Sequence, residues 1–232
     1  MMAASTGATG DGQQPATGWQ SPSEELLQVL RAPQLPRMWS APTGDYMLLA
    51  DPMLYPPLAE LAAPMHKLAG MRVNPAINSH HGQHGGTSPR LVRVEDGVTT
   101  PLNLPEGTEV DDMVWTVDGK RFALIVIHTD HIGLWVGSVE GEVKKIENFA
   151  LNPLMGTAVS WLPDQKRLLV RRIPQRGPAP EPPVIPVGPE IVEGVGASAR
   201  STYEARNLLK TAHDEALFEY YTTSELVIFD TA

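Results

Sequence analysis

Hydrophobic positions in this chain come in two arrangements, and one of them repeats. From Val114, VWTVDGKRFALIVI runs from a Trp-bearing strand through a polar turn into a dense apolar run. From Ser160, SWLPDQKRLLVRRI repeats that order. The two align without gaps: Trp115 with Trp161, Asp118 with Asp164, Lys120-Arg121 with Lys166-Arg167, each pair 46 positions apart. A weaker copy, WSAPTGDYMLLAD from Trp39, has one more residue between its Trp and its turn. A period of this size with a Trp, a turn Asp and an apolar strand predicts one propeller blade per repeat.

The copy at Val114 can be written out as a whole blade. EVDDMVWTV predicts the inner strand and DGK the hairpin turn; RFALIVIHT, HIGLWVGSV and EVKKIENF predict the second, third and fourth strands. ALIVI and GLWV are apolar at consecutive positions, which a sheet needs only when both its faces are buried. Neighbouring blades on both sides would bury them.

The copy at Ser160 is interrupted. After KRLLVRRI comes PQRGPAPEPPVIPVGPE, too proline-dense for anything but extended or polyproline-like backbone. STYEARNLLKTAHDEALFEYY then reads as helical near 202–212, with Leu208, Leu209 and Ala212 along one face, and SELVIFD supplies the third strand. Leu226 lies 92 positions after its match Leu134, twice the repeat, so an insertion of about 174–221 is expected outside the sheet. No fourth strand follows Asp230 before Ala232. The fold expected is all-β: a partial β-propeller of about two and a half four-stranded blades, with a Pro-rich and helical insertion.

Ahead of the blades, Ser21 or Ser23 caps a short helix, SEELLQVLRA, which Pro33 and Pro36 stop. Residues 1–20 are rich in Gly, Ala, Ser, Thr and Gln and read as a disordered tail, leaving 21–232 as the incomplete propeller domain. The 22 Pro and 20 Gly agree with a turn-rich β protein. A net charge of -9 lacks the electrostatic footprint of a nucleic-acid binder. With no cysteine there is no disulfide framework, thiolate metal site or Cys nucleophile. No run of apolar residues is long enough to cross a membrane. The first residues have no basic n-region or apolar h-region, and no Arg precedes Arg31, so neither a secretory signal nor a transit peptide is expected. The default compartment is cytoplasmic.

Candidate chemistry is sparse. NSHHGQHGGTS, 78–88, holds His80, His81 and His84, and His80 and His84 have the spacing of a helical zinc pair. Gly82 stands between them and no carboxylate lies closer than Glu95, so the stretch reads as a polar loop and no metal is assigned. His128 and His131 fall at a hairpin and read as solvated. Trp115, Trp135 and Trp161 read as core between blades, and Tyr220 and Tyr221 as packing for the insertion. There is no G-x-S-x-G elbow; the nearest string, GVGASARS, lacks its second glycine, which leaves Ser198 in a loop. No catalytic residue and no cofactor are assigned.

PPLAELAAPMHKLAGMRVNPAINS, from Pro56 to Ser79, resembles a signature of the glutamyl endopeptidase branch of the prolyl oligopeptidase family. HDEALFEYYTTSELVIFD, from His213, resembles a second, and VIPVGPEIVE lies between them at the expected place. The resemblance runs from about Ser21 to the C-terminus. It implies an N-terminal β-propeller followed by an α/β-hydrolase domain with a Ser-Asp-His triad, a domain absent from this sequence. Family members are serine peptidases, in this branch cleaving after glutamate, and the propeller shields the active site and restricts large substrates. Where members carry Ser, Arg and Tyr after AGxRxNP, this chain has HHGQHGG.

Arg72 and Asn74, within AGMRVNP, are the candidate substrate-binding residues, because a bidentate arginine suits a glutamate carboxylate. The competing role for Arg72 is local pairing at a blade junction. Three functions follow: the propeller portion of such a peptidase, inactive alone; a stand-alone scaffold of partial blades that self-associates through an open edge; and a metal module on His80, His81 and His84. The partners expected are peptide substrates, reached through the hydrolase domain, with no nucleic acid and no membrane.

Overall fold

A computed structural model describes residues 21–53, 55–184 and 208–231. The chain divides into two compact units, 1–34 and 35–232. The first holds helix α1 (Glu24–Leu30), whose N-cap Ser23 accepts from the Leu26 N–H, with Glu24 and Glu25 in the first turn.

The second unit is built of antiparallel strands. β1 (Arg37–Ser40) and β2 (Tyr46–Pro52) form a hairpin. Helix α2 (Leu58–Leu61) and the short strands β3 (His66–Leu68), β4 (Met71–Asn74) and β5 (Ser79–His80) follow as a separate three-stranded sheet with its own helical turn. β6 (Gly86–Arg93) then returns to pair with β2, and β7 (Thr99–Pro101) pairs with β6, completing a four-stranded first blade.

The second blade is β8 (Glu109–Trp115), β9 (Arg121–Ile127), β10 (Ile132–Ser138) and β11 (Val143–Lys145), in the order predicted. The third is β12 (Val159–Trp161), β13 (Arg167–Arg172) and β14 (Glu225–Asp230), three strands. Helix α3 (Ala212–Thr222) stands between β13 and β14. The fold is the partial propeller expected, with, among the described residues, two four-stranded blades and a third of three strands.

Each blade begins with the same hairpin, and its hydrogen bonds repeat atom for atom. Ala41, Thr116 and Leu162 each donate to the carbonyl five residues on, at 2.8, 2.9 and 2.8 Å. Gly44, Gly119 and Gln165 each donate back to them, at 2.9, 3.0 and 2.8 Å. All three of those third-following residues are left-handed, with φ of 79°, 66° and 56°. Glycine takes that conformation freely, whereas Gln165 is strained. Its side chain bridges blades, its Oε1 accepting from the Asp118 N–H at 2.7 Å. Gly119 serves a second purpose, since a Cβ there would lie 2.5 Å from Thr43 Oγ1 in the preceding blade's turn.

Both faces of the middle blade are buried, which explains its unbroken apolar runs. Phe122, Leu124 and Val126 pack against Leu48 and Leu91 of the first blade. Ala123 and Ile125, with Ile132, Leu134 and Val136, pack against Val159, Leu168 and Val170 of the third. Propeller packing accounts for this better than a sandwich, in which one face of each sheet stays wet.

Two expectations need correction. Among the described residues of the last insertion, helix α3 starts at Ala212, where Thr211 and Asp214 form a capping box, and Leu208 to Lys210, within the span expected to be helical, are not. Most of the predicted 202–212 span lies outside the described residues, as does Ser198. The 78–88 stretch is also not wholly loop, since His80 pairs with Val73 in β5 and Gly86 opens β6.

Candidate functional site

The two insertions occupy equivalent places, between the second and third strands of the first and third blades. Equivalent places in a propeller open at the same end, so both emerge together over the middle blade. Their apolar side chains form a separate core. Leu68 and Val73, from β3 and β4, pack with Leu217 and Tyr221 of α3 and with Leu154 from the link before β12. Neither insertion could bury this surface alone, so each folds against the other.

A polar seam ties the cap to the blade below. Asn78 Nδ2 donates to the Tyr221 carbonyl at 3.2 Å, and Asn152 Nδ2 donates to the carbonyls of Tyr221 and Thr223, both at 2.9 Å. Asn78 is buried and left-handed at φ 51°, a conformation asparagine tolerates better than most residues. Its Oδ1 accepts from Arg176 Nη2 at 2.8 Å. The Arg176 guanidinium lies 3.7 Å above the Tyr220 ring, and the Tyr220 hydroxyl donates to the Gly177 carbonyl at 2.9 Å.

The histidine stretch lies along the same end, and its glutamine makes the contact that matters most. Gln83 Nε2 donates to Asp111 Oδ1 at 2.6 Å, and Arg37 donates to the His84 carbonyl at 3.1 Å and to the Asp111 carbonyl at 2.8 Å. Asp111 is the extra residue at a bulge in β8, between Val110 and Asp112. Burial pushes its carboxyl pKa up, against the Gln83 hydrogen bond and the Arg37 charge, which lower it. The glycines of HHGQHGG let this loop close on the blades. A Cβ on Gly85 would lie 2.9 Å from Glu109 and Val110 atoms, and one on Gly86 2.5 Å from the Ala50 Cβ.

The three histidines do not converge. His81 Nε2 meets the Ala63 carbonyl at 3.1 Å, and His84 Nδ1 lies 3.2 Å from Glu60 Oε1 without an aligned hydrogen bond. Among the described residues no three His, Asp or Glu side chains could hold a metal together. At the far hairpin of the middle blade, His128 and His131 stack with centroids 4.5 Å apart. His131 Nδ1 is 2.6 Å from Asp130. They are thus part of a packed corner and not simply solvated.

Of the candidate substrate residues, Arg72 is exposed on β4, opposite Lys67, and its carbonyl accepts from the His81 N–H. Asn74 Oδ1 accepts from the Ala76 N–H at 3.0 Å, closing a local turn. The sequence reading missed Asn78, Asn152, Gln83, Asp111 and Arg176. The left-handed Asn78 sits between Pro75 and the glycine-rich stretch, and that turn composition was its only local signal.

No family profile matches the chain. It is 31% identical over 244 residues to a probable glutamyl endopeptidase, chloroplastic, of Arabidopsis thaliana, covering 98% of this chain and 25% of that protein. It is 31% identical over 227 residues to the same-named protein of rice, Oryza sativa subsp. japonica, covering 91% of this chain and 24% of that one. The chain thus spans about a quarter of the length of these curated relatives. Among solved structures it overlays on a protein described as a dipeptidyl aminopeptidase IV from Bacteroides ovatus at 19% identity and a TM-score of 0.35, covering 59% of this chain and 20% of that one. Overlays this loose carry no argument. The relatives' chloroplastic names overturn the cytoplasmic expectation, which rested on finding no secretory signal, no transit-peptide composition and no membrane-length apolar run. On the near full-length alignment and the two-faced blades together, this chain is the propeller part of a glutamyl endopeptidase-like protein.

Proposed function

We propose that this propeller part shields the active site of a serine endopeptidase and gates the peptides that reach it, in a protein that cleaves after glutamate. The observation that supports this most is the alignment of nearly the whole chain with glutamyl endopeptidases. The nucleophile, base and oxyanion donors belong to an α/β-hydrolase domain outside these 232 residues, so the chain alone is inactive. The cap built by the two insertions is the surface peptides meet. Arg72, exposed upon it, receives an acidic side chain, and Asn74 shapes the turn beside it.

The test compares the protein at its full encoded length with the same protein lacking 35–232. A fluorophosphonate probe should label the full-length protein and leave the 232-residue chain unlabelled. Loss of the propeller should extend cleavage from short glutamate-containing peptides to unfolded proteins. Labelling of a serine within 1–232, or an unchanged size limit after deletion, would refute the proposal.

A further inference from the structure

The stretch IPQRGP, where the last insertion leaves β13, fixes one arginine in place. Pro174 and Pro178 restrict the backbone on either side of Arg176. The Gly177 carbonyl accepts the Tyr220 hydroxyl at 2.9 Å, which sets that ring beneath the Arg176 guanidinium, 3.7 Å away, with the Tyr221 ring at 5.9 Å. Nη2 donates to Oδ1 of the buried Asn78 at 2.8 Å. An aromatic face and an amide thus hold the group in one orientation, at the junction of the two insertions.

The other edge of the fork is unused. Nη1 is shielded from solvent and meets no acceptor. Arg90, Arg93, Arg167 and Arg172 each have a carboxylate oxygen within 2.8 Å, whereas among the described residues no Asp or Glu pairs with Arg176. In a chain of net charge -9 an arginine without one stands out. A shielded cationic N–H without an acceptor costs stability, and the Asn78 amide offers a neutral oxygen to one N–H alone. Packing against Tyr220 does not require this head group, since the stem of a Lys or a Met covers a ring as well. What a guanidinium adds is a planar pair of N–H groups matched to the two oxygens of a carboxylate.

We infer that Arg176 is a carboxylate-binding residue of the cap, and that its ligand is a carboxylate of the peptide, either an acidic side chain or the C-terminus. Arg176 is partly exposed, so a swing of the fork away from Asn78 brings Nη1 to the cap surface. The charged ligand takes Nη2 from the neutral Asn78 oxygen and engages Nη1 at the same time, while the Asn78 amide keeps its bond to the Tyr221 carbonyl. The inference rests on the proposed reading that peptides meet the cap, and it adds a pre-oriented arginine to the exposed Arg72.

The protein at its full encoded length is treated with a fluorophosphonate, so that bound peptides are not cleaved. Affinities are then measured by fluorescence anisotropy for a labelled peptide capped at both ends with one central Glu, for its Gln counterpart, and for the Gln peptide with a free C-terminus. One of the two carboxylate-bearing peptides should bind about tenfold or more tightly than the neutral one, and which of them does so identifies the source. Arg176→Met should abolish that preference without weakening the neutral peptide, and Arg176→Lys should retain part of it. No preference in the unsubstituted protein, or a preference that survives Arg176→Met, would overturn the inference. So would an equal loss for all three peptides in both variants, which would make Arg176 purely structural. Cleavage is followed on untreated samples: an Arg176-dependent preference without cleavage removes the peptidase reading and leaves the site, whereas cleavage after glutamate without that preference does the reverse.

Discussion

The indole N–H of Trp161 reaches across from the third blade to the carbonyl of Val114 in the second, at 2.9 Å. The Arg121 guanidinium stands 5.5 Å from the same ring. Donor and acceptor belong to different blades, so this bond reports blade docking and not strand pairing within a blade.

Replacing this indole by a phenyl ring separates hydrogen bonding from packing. Trp161→Phe keeps most of the apolar ring but removes the indole donor to the Val114 carbonyl. It should cost about 1–2 kcal/mol in urea unfolding. Trp115→Phe, which removes the equivalent bond to Trp39, should cost a similar amount. A change below about 0.3 kcal/mol in both would mean that water replaces the indole without penalty.

The first-turn glycines should differ although their φ values are close. At Gly44 an added Cβ meets nothing within 4 Å, so Gly44→Ala carries only the left-handed strain, about 1 kcal/mol. At Gly119 the same Cβ would sit 2.5 Å from Thr43 Oγ1, so Gly119→Ala adds a clash between blades. Thermal unfolding should rank Gly119→Ala as the worse of the two, and Thr43→Gly should narrow the gap. Equal effects would show that the turns do not touch.

Blade architecture was legible in the sequence because it is local and repeated. A Trp, a turn Asp and a consecutive apolar run recur at one spacing, and each follows from burial on both sheet faces. The insertions were legible only as interruptions. That Leu68 and Val73 would meet Leu217 and Tyr221 depends on two segments far apart in sequence opening at the same end. No local pattern carries that. The short strands β3 to β5 were missed for a related reason, since HKL, MRVN and SH are too brief to show a period. In HHGQHGG the histidines drew notice as metal ligands, whereas the fold uses Gln83 and the two adjacent glycines.

Asp111 tests whether the loop contact is stabilising. The residue is 8% exposed and burial raises its carboxyl pKa, so keeping it charged at neutral pH opposes folding. Asp111→Asn removes that charge while retaining an oxygen for the Gln83 amide, and the Arg37 bond to the backbone carbonyl is untouched. Stability at pH 7 should stay the same or rise by up to about 1 kcal/mol. Asp111→Ala, which strands the Gln83 amide, should lower it. Loss of stability in both variants would mean that the charge itself is needed.

The stacked histidines of the middle blade should make its outer corner sensitive to acid. Burial lowers the pKa of His128 below its ordinary 6.5, helped by His131 and Lys145 and opposed by Asp130 and Glu147. The His128 Nε2 is buried and makes no hydrogen bond. Between pH 6.5 and the lower native value, the unfolded chain binds a proton at His128 that the native chain refuses. Stability from the neutral ring is therefore complete above that window and declines as pH falls through it. His128→Gln removes the titration and should flatten this part of the profile, while the separate acid loss from Asp164, whose carboxyl is held at about 2 by bonds from Lys166 and Arg167, remains at lower pH. Urea midpoints between pH 8 and 5 decide it. Parallel profiles for the two proteins would show that protonating His128 does not oppose the fold.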